Sequence, residues 1–140
     1  MLRTRYDEYV RRFNAKDASA FDEFYQPHVR MQNGMFVVAG LQAMKENYAK
    51  VWAAFDDTLN VVRYVADVDT LCVQMYTTFL ALDDGEETPF GPVSKDDLLE
   101  YRGIILYQVE NDKFAEIVVA YNHFTFTRFD GSIDEFPVPR

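Results

Sequence analysis

The chain reads as an α+β domain, a curved antiparallel sheet wrapped on about three N-terminal helices. Apolar residues recur at helical spacing over residues 2–14, 18–25 and 41–55, after which the period becomes strand-like and stays so to residue 126. No linker, internal repeat or low-complexity tract breaks the 140 residues. One core is therefore expected in a single domain over 1–140, with its folded part at about 5–125 and a patternless tail over 127–140.

The first helix carries Leu2, Tyr6, Tyr9, Val10 and Phe13 on one face and charges on the other. "NAKD" breaks it, and Asp17 can cap a short second helix bearing Ala18, Phe21, Phe24 and Tyr25, which Pro27 ends. "HVRMQ" and "MFVVA" read as short strands about an Asn33-Gly34 turn. A third helix over 41–55 follows Gly40, with Leu41, Met44, Tyr48, Val51, Trp52 and Phe55 as its stripe. Beyond Asp56-Asp57 come "TLNVVRYVA" and "TLCVQMYTTFLAL", joined at Asp67-Val68-Asp69. The acidic "DDGEETPFGPVSKDD" is a loop, and "LLEYRGIILYQVE" and "FAEIVVAYNHFTF" form a hairpin turning at Asn111-Asp112.

Composition excludes several classes of partner. The formal charge is −9 and the basic residues do not cluster, which argues against nucleic acid and against an anionic membrane. The start "MLRTRYDEY" has no apolar leader, and no apolar run approaches the ~18 residues of a membrane span, so a cytoplasmic protein is expected. The single cysteine, Cys72, cannot form an internal disulfide and reads as a small strand residue. His28 and His123 are not spaced as a metal motif, the acidic run lacks the pattern of a calcium loop, and no cofactor is expected. His28 reads as a surface or rim residue, and the acidic run as a solvated loop or a lid on a cavity mouth.

"FNAKDASAFDEFYQPHVRMQ", "GLQAMKENY" and "YRGIILYQVENDKFAEIVVAYN" resemble the nuclear transport factor 2-like superfamily, the cone-shaped, cystatin-like fold shared by ketosteroid isomerase, scytalone dehydratase and the SnoaL-like polyketide cyclases. The resemblance spans about residues 5–125 and implies a cavity between the helices and the concave sheet face. Enzyme members place a carboxylate or histidine there, but none of their acids carries over onto its matching position. Gln32 stands where ketosteroid isomerases have an aspartate, Gly103 and Ile105 where epoxide hydrolases have an arginine and an aspartate, and Val119 or Asn122 where SnoaL-like cyclases have an aspartate.

A two-residue turn at Asn111-Asp112 sets paired positions in the hairpin: Val109 with Phe114, Ile105 with Val118, Gly103 with Ala120, Tyr101 with Asn122, and, on the opposite face, Glu100 with His123. Both faces are substantially apolar, so both should be covered, one by helices and one by a second copy in a homodimer. Family analogy turns Tyr101, Ile105, Val118 and Asn122 inward.

The candidate catalytic residues are therefore His123, which a carboxylate could orient as an acid–base; Asn122, as an oxyanion donor; and Tyr101. His123 would need a strand bulge to face the cavity. Gln32, Trp52, Met75, Tyr6 and Tyr48 are the candidate substrate contacts. An apolar aromatic cavity with neutral hydrogen bonders suits a hydrophobic oxygenated small molecule. The expected function is cofactor-independent isomerisation, cyclisation or dehydration by proton transfer, as in polyketide or terpenoid metabolism. The alternative is a non-catalytic ligand-binding or dimerisation module of the same fold.

Overall fold

The computed structural model describes residues 1–135; residues 136–140, the end of the expected tail, lie outside the described residues. In chain order the elements are α1 (Arg3–Asn14), α2 (Ser19–Phe24), β1 (Tyr25–Asn33), β2 (Phe36–Ala39), α3 (Leu41–Ala54), β3 (Phe55–Ala66), β4 (Thr70–Ala81), β5 (Leu98–Glu110), β6 (Lys113–Thr127) and β7 (Ile133–Glu135). The strands form one curved sheet in the order β2-β1-β6-β5-β4-β3, with β7 also on β6.

The α+β architecture is as expected, with one change of topology. The sheet is mixed, because β1 runs parallel to β6 while the other pairings are antiparallel. A meander was expected because neighbouring strands in sequence usually pair; α3 and four strands separate β1 from β6, and that crossover permits the parallel pairing. Pro27 does not end α2, which stops at Phe24. It lies within β1, where the β1–β6 register shifts between Tyr25 and Arg30, a place in which a missing N–H is tolerated. The tail also contains a strand, β7, that its composition did not signal.

Tyr6, Tyr9 and Phe13 of α1 pack with Phe21, Phe24, Tyr25, Tyr107 and Phe114 into the main core. The buried hydroxyls satisfy one another, Tyr6 with Tyr107 at 2.9 Å and Tyr9 with Tyr25 at 2.7 Å, so these four rings bury without orphaned hydroxyls. A smaller cluster of Val51, Phe55, Ala81, Val93, Leu99 and Phe126 lies beneath the acidic loop. Asp97 ties that loop down. Its buried carboxylate accepts the Ser94 and Phe129 N–H groups, each at 2.8 Å, and faces Arg128 at 3.6 Å.

The β5–β6 hairpin corrects the expected register. Its turn is as read: Glu110 opposes Lys113, and Asn111 and Asp112 both have positive φ. Two irregularities then displace the pairing. The first leaves Ala115 extra, so that Ile105 opposes Val119 rather than Val118 and Gly103 opposes Tyr121 rather than Ala120. The second leaves Asn122 extra, so that Tyr101 opposes Phe124 and Arg102 opposes His123. Each bulge moves the following residues to the other face. Val119, Tyr121 and Phe124 consequently take the concave positions assigned above to Val118, Ala120 and Asn122. The expected Glu100–His123 pair does not form; Glu100 opposes Thr125 and accepts the Tyr76 hydroxyl at 2.7 Å.

Candidate functional site

Strand β3 begins three residues before the alternation that first suggested it, at Phe55 directly after α3. Parity then places Phe55, Asp57 and Leu59 on one side, the concave side, and all three are buried. Asp57 lies opposite Phe79 of β4, and Leu59 opposite Thr77, which in turn opposes Tyr101 of β5. These rows form the floor of a cavity of about 650 Å³.

The cavity has walls from six other places. Phe13 enters from α1, and Asn47, Tyr48 and Val51 from α3. Met31 and Asn33 come from β1, and Gly34, Met35 and Phe36 from the turn into β2. Pro89 and Phe90 of the acidic loop and Val119 and Tyr121 of β6 complete it. The turn residues are Gly34 and Met35, one position later than expected, since Asn33 pairs with Phe36. Phe79, Phe90 and Tyr101 pack against one another with ring centroids 5.0–5.8 Å apart, and Tyr121 stands 5.1 Å from Tyr101. One side of the cavity is thus a continuous aromatic wall.

Asp57 is the one carboxylate among the described lining residues, and none of them is His, Lys or Arg. It is 2 % exposed, and its Oδ1 has no hydrogen-bond partner. Desolvation raises its pKa to about 7, against the opposing effect of Lys16 and with a further upward push from Asp56. A carboxyl that changes charge near neutrality in an apolar cavity can accept or deliver a proton at ordinary pH. Burial pushes the Tyr101 and Tyr48 phenols well above their usual value, which keeps both as neutral hydroxyls able to donate. No group of three His, Cys, Asp or Glu side chains among the described residues is placed to hold a metal ion.

Of the residues singled out from sequence, Tyr101 and Tyr48 line the cavity. Met75 and Tyr6 lie in the main core, Tyr6 held by Tyr107. Trp52 packs on Phe13 and Phe21 just behind the lining, with its Nε1 buried and lacking a hydrogen-bond partner. Gln32 points away from its lining neighbours Met31 and Asn33 and donates to the Gly34 carbonyl at 3.1 Å. Asn122 is the exposed bulge residue, and His123 is exposed with its Nε2 2.7 Å from the Thr125 hydroxyl. The bulge that could have turned His123 inward is present, but the earlier one at Ala115 cancels it. His123 therefore stays on the convex side with Arg102.

Asn122→Ala and His123→Ala are thus expected to leave turnover or ligand affinity within about twofold and stability within ~0.5 kcal/mol. Urea titration and ligand binding would check both. The residue that sequence reading missed is Asp57. Asp is a poor strand former, so Asp56-Asp57 read as a break between helix and strand. The signal was Phe55: extending its alternation through 57 to Leu59 places the aspartate with two core residues.

A search of the curated proteins finds no match. Among solved structures, TsrD from Streptomyces laurentii superposes with a TM-score of 0.70 at 15% identity, covering 87% of this chain and 91% of that one. A SnoaL-like polyketide cyclase from Agrobacterium tumefaciens str. C58 gives 0.65 at 15% identity, over 84% and 87% of the two chains. An LEH-like epoxide hydrolase of M. tuberculosis gives 0.68 at 8% identity, over 84% and 80%. At these identities the likeness shows a shared fold. Residues 6–117 match the SnoaL-like domain in sequence, and the chain belongs to that family.

Proposed function

We propose that the protein is a cofactor-independent enzyme that moves a proton on a hydrophobic oxygenated molecule, with Asp57 as the acid–base group. The observation that carries this reading is the buried Asp57 carboxyl, unpartnered at Oδ1, in the wall of an aromatic cavity. As carboxylate it would take a proton from carbon next to a carbonyl, and as the acid return it one or more atoms away. The result is an isomerisation, or the first step of a cyclisation or dehydration. Neutral donors, Tyr101 and the amides of Asn33 and Asn47, line the same space and would stabilise an enolate oxygen. The similar structures include a SnoaL-like polyketide cyclase and an LEH-like epoxide hydrolase, which supports small-molecule chemistry of this kind.

The test is hydrogen–deuterium exchange at the carbon beside the carbonyl of a panel of aromatic and conjugated ketones in D₂O, followed by NMR. The wild type should exchange at least one of them, and Asp57→Asn should not. One observation favours a second reading, a binding module: Asp57 has no second carboxylate or histidine partner among the described lining residues. Ligands that bind in the cavity and never exchange would establish that reading instead.

We further propose that a second copy covers the convex face and that the protein acts in the cytoplasm, where Cys72 stays a free thiol. Cys72, Leu106 and Val118 form one row across that face, and Ile104 and Ala120 lie in the next. Ile104 is 43% exposed and Leu106 44%. An apolar sheet centre of this sort is self-complementary about a two-fold axis. Light scattering should report a dimer, and Ile104→Glu with Leu106→Glu should report a monomer with its cavity intact.

A further inference from the structure

We propose that Lys16 is a positioning residue that holds Asp57 in the cavity wall and sets the charge state of its carboxyl from behind the strand. This rests on the reading of Asp57 as the acid–base group. Strand β3 is the last strand of the sheet on its side, so one row of its backbone groups has no neighbouring strand. The last residue of α1 and the turn after it supply the missing partners. Asn14 acts as a piece of strand, accepting the Leu59 N–H at 2.8 Å and donating to the Leu59 carbonyl at 2.9 Å. Two residues on, the Lys16 ammonium donates to the Asp57 carbonyl and lies 3.1 Å from the Asp56 carboxylate. The backbone that carries Asp57 is thus fixed on its open edge by two side chains from the C-terminal end of α1 and the turn that follows.

The conformation of Lys16 points the same way. It ends α1 with φ at +59°, its N–H bonded to the Phe13 carbonyl at 2.9 Å and the next N–H to the Arg12 carbonyl at 3.0 Å. Helices normally close in this left-handed conformation with glycine, which has no Cβ to strain. A lysine there accepts a conformational cost, and what it gains is the reach of its ammonium to β3.

The charged and titratable groups around Asp57 are few. Lys16 comes from the turn, Asp56 from its own strand, Tyr48 from α3 and Tyr25 from β1; β4 presents Phe79 opposite it. Only Lys16 is cationic. Its field opposes the desolvation that favours the neutral acid, and Asp56 opposes Lys16.

The experiment follows the Asp57 carboxyl by carbon NMR across pH in the full chain, with Asp57→Asn to assign the signal. Lys16→Met should raise the midpoint by about one pH unit, a tenfold change in proton affinity. Lys16→Gly suits the backbone better, so it folds even if the methionine variant does not, and it should show the same rise. Lys16→Arg should keep the wild-type midpoint within a few tenths, and Asp56→Asn should lower it. An unchanged midpoint in Lys16→Gly would overturn the proposal, because a purely structural lysine alters stability without moving that titration. Failure of the enzymatic reading would appear separately, as undiminished exchange by Asp57→Asn, with the Lys16 effect on the midpoint still readable.

Discussion

Asp57→Asn is expected to abolish turnover while making the protein more stable at neutral pH. The activity arm follows from the loss of the only carboxylate among the described lining residues; removing a positioned acid–base group lowers rates by roughly 10²- to 10⁴-fold. The stability arm follows from linkage. In the folded protein Asp57 titrates at about 7, against an ordinary value of 3.8. Its folded-state pKa is raised, so the protonated carboxyl favours folding below 3.8 and that contribution is lost as pH rises toward 7. Three pH units correspond to about 4 kcal/mol, an upper bound on what the buried charge costs at pH 8. The asparagine amide recovers less than this, since it too is a buried polar group short of partners, and a net gain of about 2 kcal/mol is expected. Thermal unfolding at pH 8 should show a Tm several degrees above wild type, with the gap closing near pH 4. The wild-type rate should rise with pH up to about 7, as the base ionises. Retained turnover in Asp57→Asn would remove the aspartate from the chemistry, whatever the melting curves show.

The opposite signs of those two arms explain why the site was hard to read. Sequence patterns report what favours folding, and Asp57 opposes it. The helical stripe of α1 and the turn at Asn111-Asp112 were legible because local geometry demanded those residues. The cavity wall at Tyr48 was legible from the apolar stripe of α3, and that at Tyr101 from the family resemblance, which chose between two apolar faces. Asp57 was not, because an aspartate in a buried strand position contradicts propensity, and such local contradictions concentrate where function overrides folding. The face of β6 was lost for another reason. A bulge leaves no fixed residue signature, and two of them within one hairpin send Val118 and Asn122 to positions that a regular register gives to their neighbours.

One glycine shows how that irregular hairpin is held, and replacing it should have the largest effect on folding. In β5, Gly103 opposes Tyr121 just before the Asn122 bulge. A Cβ built on Gly103 would stand 2.5 Å from the Tyr121 Cα and would also collide with the Ala120 carbonyl oxygen. Both obstacles are backbone, so no rotamer change relieves them. The φ of Gly103 is not the cause, since it lies outside the left-handed region; the requirement is the close approach of β6 as it bends over β5. Gly103→Ala must therefore push the strands apart at the bulge, at a cost of about 3 kcal/mol or more. The separation would fall where Tyr121 and Tyr101 build the aromatic wall, so the cavity should lose its ligands even in the fraction that folds. Urea unfolding would read the stability change and ligand titration the loss of the wall. If Gly103→Ala unfolds at the wild-type urea midpoint, the close β5–β6 approach is not what bends the sheet. The curvature that forms the cavity would then have to come from the β3 bulge near Val62 or from the helices packed against the concave face.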